Sequence, residues 1–523
     1  MEGTVYSLLP PVLAILMVVL TRKVLLSLGV GIAAAALVLT KFSVTEALQK
    51  VWGSFSAIFY ADGEINKYNL YILLFLIILG VITAFISISG GSRAFGEWAL
   101  KRVKTRVGAH LITALLGIII FIDDYFNALA VGQVSRPLTD RQRISRAKLA
   151  YIIDSTSAPV CVIAPFSSWG AYIITVIGSI LAAHEISNYS AISAFVQMIP
   201  MNFYVFAALI MVFAVGVYNI NLGSMKVHED RAIATGEVID SSKGDVAGEL
   251  SQDLPESEKG RVIDLVLPIL ALIVGTISAM MWTGYKAIGG KDVNIFKLFE
   301  NTDVPTSLVY GGTLGLLVTF ILFFVQVSKS QKVTMGALPK GIAEGAKSML
   351  PAIYILFMAW MIVDLISQLK TGEYLAGIVE SANINVSFLP FILFVIAGLM
   401  AFSTGTSWGT FGIMLPIAGD IAASTDVALL LPSLAAVLAG SVFGDHCSPI
   451  SDTTILSSTG AGCHHIDHVM TQLPYALISA LLAGIGYLIL GFTGSSTIGL
   501  LVVVVLLVLF IMFMRNRVTT SVE

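Results

Sequence analysis

Two adjacent carboxylates, Asp123 and Asp124, sit in the middle of the apolar stretch Gly117 to Gly132, GIIIFIDDYFNALAVG. A charged side chain at bilayer depth costs a few kcal/mol even on the mildest scale, so such residues face a cavity or a partner. If the two face one cavity, an acid there can trade a proton for a cation. Adjacent residues of a helix point about 100° apart. A single exchanging acid is therefore expected, and which of the two it is stays open. The competing role for either is to cap a half-helix or to pair with a basic residue.

Three further polar clusters interrupt apolar runs. GDHCSPISDTTILSSTGAG carries Asp445, His446, Ser448, Asp452, Thr453 and Thr454 around a proline. Hard monovalent cations take oxygen ligands from carboxylates, hydroxyls and carbonyls, and this run offers all three. Asp445 and Asp452, seven apart, would share a face of an intact helix, but Pro449 argues against one. Asp154, Ser155 and Thr156 precede Pro159 in a second interrupted run, and Ser403, Thr404, Thr406 and Ser407 form a hydroxyl-rich tip with Gly405 and Gly409. Helix packing through small residues is the competing reading of that tip. A zinc site at His446 and Cys447, or at Cys463 to His468, lacks the usual ligand spacings, and the latter group reads as a wet loop at a span end, with pH sensing a lesser alternative. A Ser/His/Asp hydrolase lacks a nucleophile elbow.

The elements that hold these clusters are membrane helices. Of 523 residues 56% are apolar and 12% charged, with a mean hydropathy of +0.89, against roughly a quarter charged in soluble domains. Period-two alternation is absent, which excludes a transmembrane β-barrel. The expected fold is an all-α polytopic membrane protein of about eleven spans: 5–21, 24–40, 69–90, 149–184, 192–218, 262–282, 308–327, 348–368, 428–460, 472–492 and 496–514. The first is read as mature, because no signal-peptide cleavage pattern precedes it, and neither end carries a lipidation motif. Cys161, Cys447 and Cys463 imply no disulfide framework.

Basic residues set the orientation. Arg22 and Lys23, then Arg93 to Arg106, then Arg136 to Lys148 all fall on one side, which the positive-inside rule makes cytoplasmic. Both flanks of 110–134 are then cytoplasmic, so this stretch reads as a re-entrant hairpin with Asp123, Asp124, Tyr125 and Asn127 near its tip. A plain helix with two acids facing a bundle is the alternative. Backbone broken at membrane depth requires protein or a water-filled cavity around it. The prolines and hydroxyls of 154–170 mark an unwound span.

The polar, acidic segment 219–260 reads as a flexible cytoplasmic linker between repeats. Each half, 1–218 and 261–494, runs through three spans, a hairpin, a broken span and one more span; 495–523 adds a helix and a cytoplasmic tail. An odd number of crossings inverts the second half. The 387–419 hairpin then enters from outside, its exit loop 419–426 carries no Lys or Arg, and Arg515 and Arg517 fall inside. Inverted repeats with broken helices are the architecture of secondary transporters.

The strings FIDDYFNALAVG, RPLTDRQRISRAKLAYIIDSTSAPVCVIAPFSSWGAY, FSTGTSWGTFGIMLPIA and GDHCSPISDTTILSSTGAGCHHIDHV resemble the NhaC family of bacterial sodium/proton antiporters over about 70–490. The resemblance implies a multi-pass protein of the bacterial cytoplasmic membrane, with its N-terminus outside and C-terminus inside. It exports sodium, with lithium as a second cation, against incoming protons, and needs no cofactor. The motif positions carried over as cation/proton site are Asp123, Asp124, Asn127, Asp154, Ser155, Thr156, Ser403, Thr404, Thr406, Ser407, Asp445, His446, Ser448, Asp452, Thr453 and Thr454, with sodium placed at Asp123, Asp124, Asp445 and Asp452. Partners are the cation, the proton and the bilayer, with a homodimer as candidate assembly and no nucleic acid. No Walker A sequence points to a primary pump. Because the family also holds members similar to malate/lactate exchangers, a sodium- and proton-coupled exchanger of small organic or amino acids is the alternative. The lack of Lys or Arg in either hairpin or broken span tilts the choice toward cations.

Overall fold

In a hydrocarbon layer every backbone N–H and C=O must be satisfied within the chain, so long apolar runs become helices. The computed structural model describes all residues except 22, 62, 122, 166, 245, 248–253, 290–292, 372, 375, 376, 378–384 and 521–523. Among the sequence features singled out above, Arg22, Ile122 of the first hairpin, Phe166 of the first broken span and part of the linker lie outside the described residues.

The first half runs through α1 (Leu9–Thr21), α2 (Val24–Leu39), α3 (Val44–Ala57), α4 (Lys67–Ile88), α5 (Gly91–Arg102), α6 (Arg106–Ile119), α7 (Asp124–Arg141), α8 (Arg146–Thr156), α9 (Ala158–Cys161), α10 (Ser168–Ala183), α11 (Ala191–Met198) and α12 (Phe203–Tyr218). After α13 (Ser224–Thr235) follow α14 (Ile263–Ala287), α15 (Ile295–Glu300), α16 (Val304–Lys329), α17 (Ala337–Ser348), α18 (Leu350–Gln368), α19 (Leu389–Thr404), α20 (Ser407–Thr425), α21 (Leu430–Cys447), α22 (Asp452–Ala461), α23 (His465–Thr493) and α24 (Ser496–Thr520). A short hairpin pairs Tyr60–Ala61 with Glu64–Ile65. The molecule is an all-α polytopic membrane protein.

Eight helices among the described residues are long and apolar enough to cross a bilayer, or nine if the pair Ala191–Met201 and Phe203–Tyr218, bent by 50°, is one span. Eleven spans were expected; the eight include Val386–Thr404, the first limb of the expected 387–419 hairpin, while 5–21, 24–40 and 149–184 have no helix of that length. At 13 and 16 residues, α1 and α2 reach roughly 20–24 Å, short of a core of roughly 30 Å. The expected span 149–184 is divided into α8, α9 and α10 by breaks at Ser157 and between Val162 and Ser167.

Helix α4 packs against α14, α16 and α17, and α2 packs against α1 and α18. The largest buried core joins α6 to α12 with α19 to α23. Among the cross-half pairs that run through it are α7 on α22, α8 on α22, α12 on α23 and α10 on α20. The first is a backbone-on-backbone contact, in which a Cβ added at Gly132 would collide with the Gly460 carbonyl oxygen. Small residues at such crossings let membrane helices approach closely. Gly132→Leu is therefore expected to separate α7 from α22 and abolish a folded, transport-competent protein. A monodisperse, active Gly132→Leu preparation would refute the assignment.

The linker departs from expectation. Composition suggested a flexible segment, yet α13 docks on the ends of α6 and α8 through one acid. The Glu229 side chain is fully buried and bonds Arg106, Lys148 Nζ at 3.1 Å and the Ser145 N–H at 2.8 Å. Beyond it, Val238 O accepts from the Arg146 N–H at 2.9 Å, and Lys243 Nζ meets Asp467 at 2.6 Å. Burial pushes the Glu229 carboxyl up, but Lys148, Arg106 and the Ser145 N–H pull harder the other way, and it lies below the ordinary glutamate value. A carboxyl depressed in the folded state stabilises in full above its unfolded value and loses that contribution as pH falls through the folded one. Glu229→Gln strands the buried Lys148 ammonium and takes the carboxylate from the part-exposed Arg106, and is expected to cost about 3 kcal/mol. The check is the unfolding midpoint against pH. The gap between wild type and variant should close on acidification, and a gap constant from neutral to acid pH contradicts the assignment.

Candidate functional site

The site begins where helices stop. Asp123 is the N-cap of α7 and accepts from the Phe126 N–H at 3.0 Å. From the first turn of α7, Asn127 reaches back and donates through Nδ2 to Gly117 O and Ile120 O, both at 2.6 Å. Cys161 Sγ donates to Phe121 O, and Ser157 Oγ donates to Asp124 O at 2.8 Å. These side chains satisfy carbonyls that the break between α6 and α7 leaves free.

The second half has its own breaks. Helix α19 ends at Gly405 in the left-handed conformation (φ 71°), and Thr406 caps α20. Glycine is the residue that takes this φ without strain. Between α21 and α22, Ser448 Oγ donates to Phe402 O at 2.8 Å, Thr454 Oγ1 to Asp445 O at 3.3 Å, and Gln472 Nε2 to His446 O at 2.6 Å. The seven-residue spacing of Asp445 and Asp452 thus spans a break and not one helical face.

Four carboxylates gather around these ends, and their oxygens are used unequally. Asp123 has both engaged, by the Phe126 N–H and by Ser168 Oγ at 2.9 Å. Asp452 also has both engaged, by the Thr453 N–H at 2.9 Å and by the Tyr125 hydroxyl. Asp124 Oδ1 accepts from the Trp169 indole N–H at 2.9 Å, whereas its Oδ2 is buried without a donor. Asp445 Oδ2 accepts from Ser407 Oγ at 2.7 Å, and its Oδ1 is likewise without a donor, as is Asn127 Oδ1. Asp124, Asn127 and Asp445 are each 3% exposed or less, and Asp124 lies within electrostatic reach of Asp123, Asp452 and Asp445. A buried acceptor that finds no donor is costly. A cation, or a proton placed on the oxygen, removes that cost.

A second buried network centres on Asp154. Its Oδ1 accepts from Ser457 Oγ at 3.0 Å, and its Oδ2 from Gln472 Nε2 at 2.6 Å and His468 Nε2 at 3.1 Å. His446 Nε2 stands 3.6 Å from the same Oδ2 and 3.4 Å from Ser155 Oγ, and its Nδ1 faces the Tyr204 hydroxyl at 2.9 Å. The network ties α8, α12, α21, α22 and α23 together one residue away from Asp445.

Of the predicted residues, Asp123, Asp124, Asn127, Ser407, Asp445, Asp452 and Thr454 meet around the helix ends, while Asp154, Ser155 and His446 belong to the second network. Ser403 and Thr404 do not join either by any described bond. Their hydroxyls return to Leu399 O and Met400 O of their own helix. Thr406 caps α20 at Gly409, Thr453 bonds Ser451, Thr156 returns to Ile152 O, and Ser448 serves the break. The wet-loop reading of the histidines is corrected: His465 and His468 are buried, and His465 bonds Pro449 O at 2.8 Å. Ser168, Trp169, Tyr204, Ser457 and Gln472 were missed, and His468, read as part of a wet loop, joins the Asp154 network. The i, i+4 spacing of His468 and Gln472 puts them on one helical face, which was a usable signal. Among the described residues no three His, Cys, Asp or Glu side chains converge as a metal-ligand set, so an ion here needs hydroxyl, amide or carbonyl oxygens beside the acids.

The profile of the Na+/H+ antiporter family matches residues 160–492. An uncharacterised protein of Haemophilus influenzae is 48% identical over 518 residues, covering 99% of this chain and 96% of the relative. A malate-2H(+)/Na(+)-lactate antiporter of Bacillus subtilis is 29% identical over 231 residues, which is 39% of this chain and 45% of that protein. An uncharacterised Na(+)/H(+) antiporter of H. influenzae is 37% identical over 101 residues, 18% of this chain and 21% of that one.

Proposed function

Because this chain belongs to the NhaC-type Na+/H+ antiporter family, a family of membrane transporters and not enzymes, we propose that it exports cytoplasmic sodium in exchange for protons entering from outside. Lithium is the second candidate cation. The observation that carries the reading is the set of three buried oxygens without donors, Asp124 Oδ2, Asn127 Oδ1 and Asp445 Oδ1. Hard cations take such oxygens, and protonating Asp124 or Asp445 removes the charge that holds the ion. Proton and cation therefore exclude one another at the same carboxylates, and one is released as the other binds. Asp123, Asp452 and Asp154, with both oxygens engaged, hold the shape of the site.

The exchange cycle needs the site to open to each side in turn. Inverted repeats at 1–218 and 261–494, meeting at the broken helices, supply the two-fold relation for that movement. The cross-half pairs α7 with α22 and α10 with α20 support the arrangement. The basic clusters face the cytoplasm, the N-terminus lies outside and the C-terminus inside.

A second reading has one observation in its favour: the Bacillus relative is named for malate and lactate as well as sodium and protons. In that case the N-terminal ends of α10 and α20, at Ser168 and Ser407, would receive a substrate carboxylate. Purified protein in liposomes carrying a pH-sensitive dye separates the two. Sodium alone is expected to move protons. If sodium does nothing until malate or lactate is added, the organic-acid exchanger replaces the simple antiporter.

A further inference from the structure

Helix α4 carries no acid of its own and packs on α16 and α17. The packing is tight: a Cβ added at Gly80 would lie 2.1 Å from the Gly345 carbonyl oxygen, and one added at Gly345 would lie 2.6 Å from the Val81 Cα. Crossings that close leave little room to slide or turn. The end of α4 remote from Arg93 is fixed as well. There Asn66 caps the helix, accepting from the Asn69 N–H at 3.2 Å, and the same side chain donates to Ala57 O at 2.9 Å. A capped first turn gives the residues on it a set direction.

Tyr68 stands on that turn. It is 54% exposed, yet its hydroxyl meets the hydroxyl of Tyr125, with Asp452, Asp123 and Asp124 all within electrostatic reach. A phenol has one proton to give, and Tyr125 gives its own to Asp452 Oδ2. The Tyr125 oxygen is therefore the acceptor and Tyr68 the donor. A hydroxyl that accepts one hydrogen bond donates the next more strongly, so the chain from Tyr68 through Tyr125 tightens the hold on Asp452. Its three members lie on α4, α7 and α22.

We infer that Tyr68 is a positioning residue of the exchange site. By donating to Tyr125 it keeps that hydroxyl on Asp452, and so holds the first turns of α7 and α22 in the arrangement that leaves Asp124 open to a cation. An Asp452 oxygen released from Tyr125 competes with Asp124 for the ion, and the set offered by Asp124, Asn127 and Asp445 loosens. The inference rests on the cation/proton reading above. It adds that the site is completed from α4, a helix with no acid, so sodium binds well only while Tyr68 lies against Tyr125.

The test is a sodium titration of dye-reported exchange in liposomes for wild type, Tyr68→Phe and Tyr68→Leu, with half-maximal concentration and maximal rate read separately. Tyr68→Phe keeps the ring and loses only the donor. The half-maximal sodium concentration is expected to rise about three- to tenfold, the span of one neutral hydrogen bond, while the maximal rate stays within about twofold. Tyr68→Leu should match Tyr68→Phe, because the hydroxyl and not the ring carries the effect. On a Tyr125→Phe background the Tyr68→Phe change should add nothing, since the oxygen it serves is gone. A Tyr68→Phe protein with wild-type sodium dependence, or a loss in Tyr68→Leu that Tyr68→Phe restores, overturns the role and leaves the exchange reading standing. A wild type that moves no protons with sodium overturns both.

Discussion

Asp124→Asn is expected to reduce sodium-driven proton movement at least about a hundredfold, equivalent to about 3 kcal/mol, while Asp123→Asn next to it keeps most of the activity. Asn at 123 still accepts the Phe126 N–H through its own oxygen, because asparagine caps a helix as well as aspartate does. Asn at 124 can likewise keep the Trp169 bond through Oδ1. It cannot keep the charge, and it places an amide where Oδ2 now lies without a donor. Asp445→Asn should match Asp124→Asn for the same reason: Ser407 Oγ can fall back on Ser441 O, already 3.2 Å away, so the fold survives and the charge does not. The measurement is dye-reported exchange in liposomes for the three variants, each checked for monodispersity. Equal losses at 123 and 124 would reject the division of roles and make both acids part of the exchanging pair.

That division was not visible in the sequence, although the pair itself was. Two acids in GIIIFIDDYFNALAVG betray a cavity because hydrocarbon makes them expensive. Which acid is spent on capping depends on where α7 begins, and neighbouring residues with the same side chain give no clue to that. The broken helices were legible because Pro159, Pro165 and Pro449 leave a local mark on the backbone. Where the Ser403 and Thr404 hydroxyls bond was not legible for the converse reason: a hydroxyl that returns to the carbonyl four residues back looks, in sequence, like one that faces a cavity. The linker misled through composition. A polar segment reads as flexible, but one buried residue, Glu229, is enough to dock its helix, and an average over forty residues hides it.

Asp154→Leu is expected to lower stability by about 3–5 kcal/mol, because removing one member of a buried charged network strands the others. Ser457, Gln472 and His468 all direct donors at Asp154, from partners 303 to 318 positions along the chain. Such separation is why spacing, which puts His468 and Gln472 on one helical face, could not join that face to Asp154. Asp154→Asn is the milder variant: it keeps an acceptor for Ser457 but turns an amide toward His468 and Gln472, and about half that loss is expected. The consequence reaches the site through Gln472, whose Nε2 also holds His446 O beside Asp445. Once that amide loses Asp154, the end of α21 loses a brace, so the sodium concentration for half-maximal exchange should rise more than the maximal rate falls. Thermal unfolding in detergent and a sodium titration of exchange test the two halves of the prediction. A variant that unfolds with wild type denies the network its structural role. One that binds sodium normally but cannot move protons makes Asp154 a proton carrier in its own right.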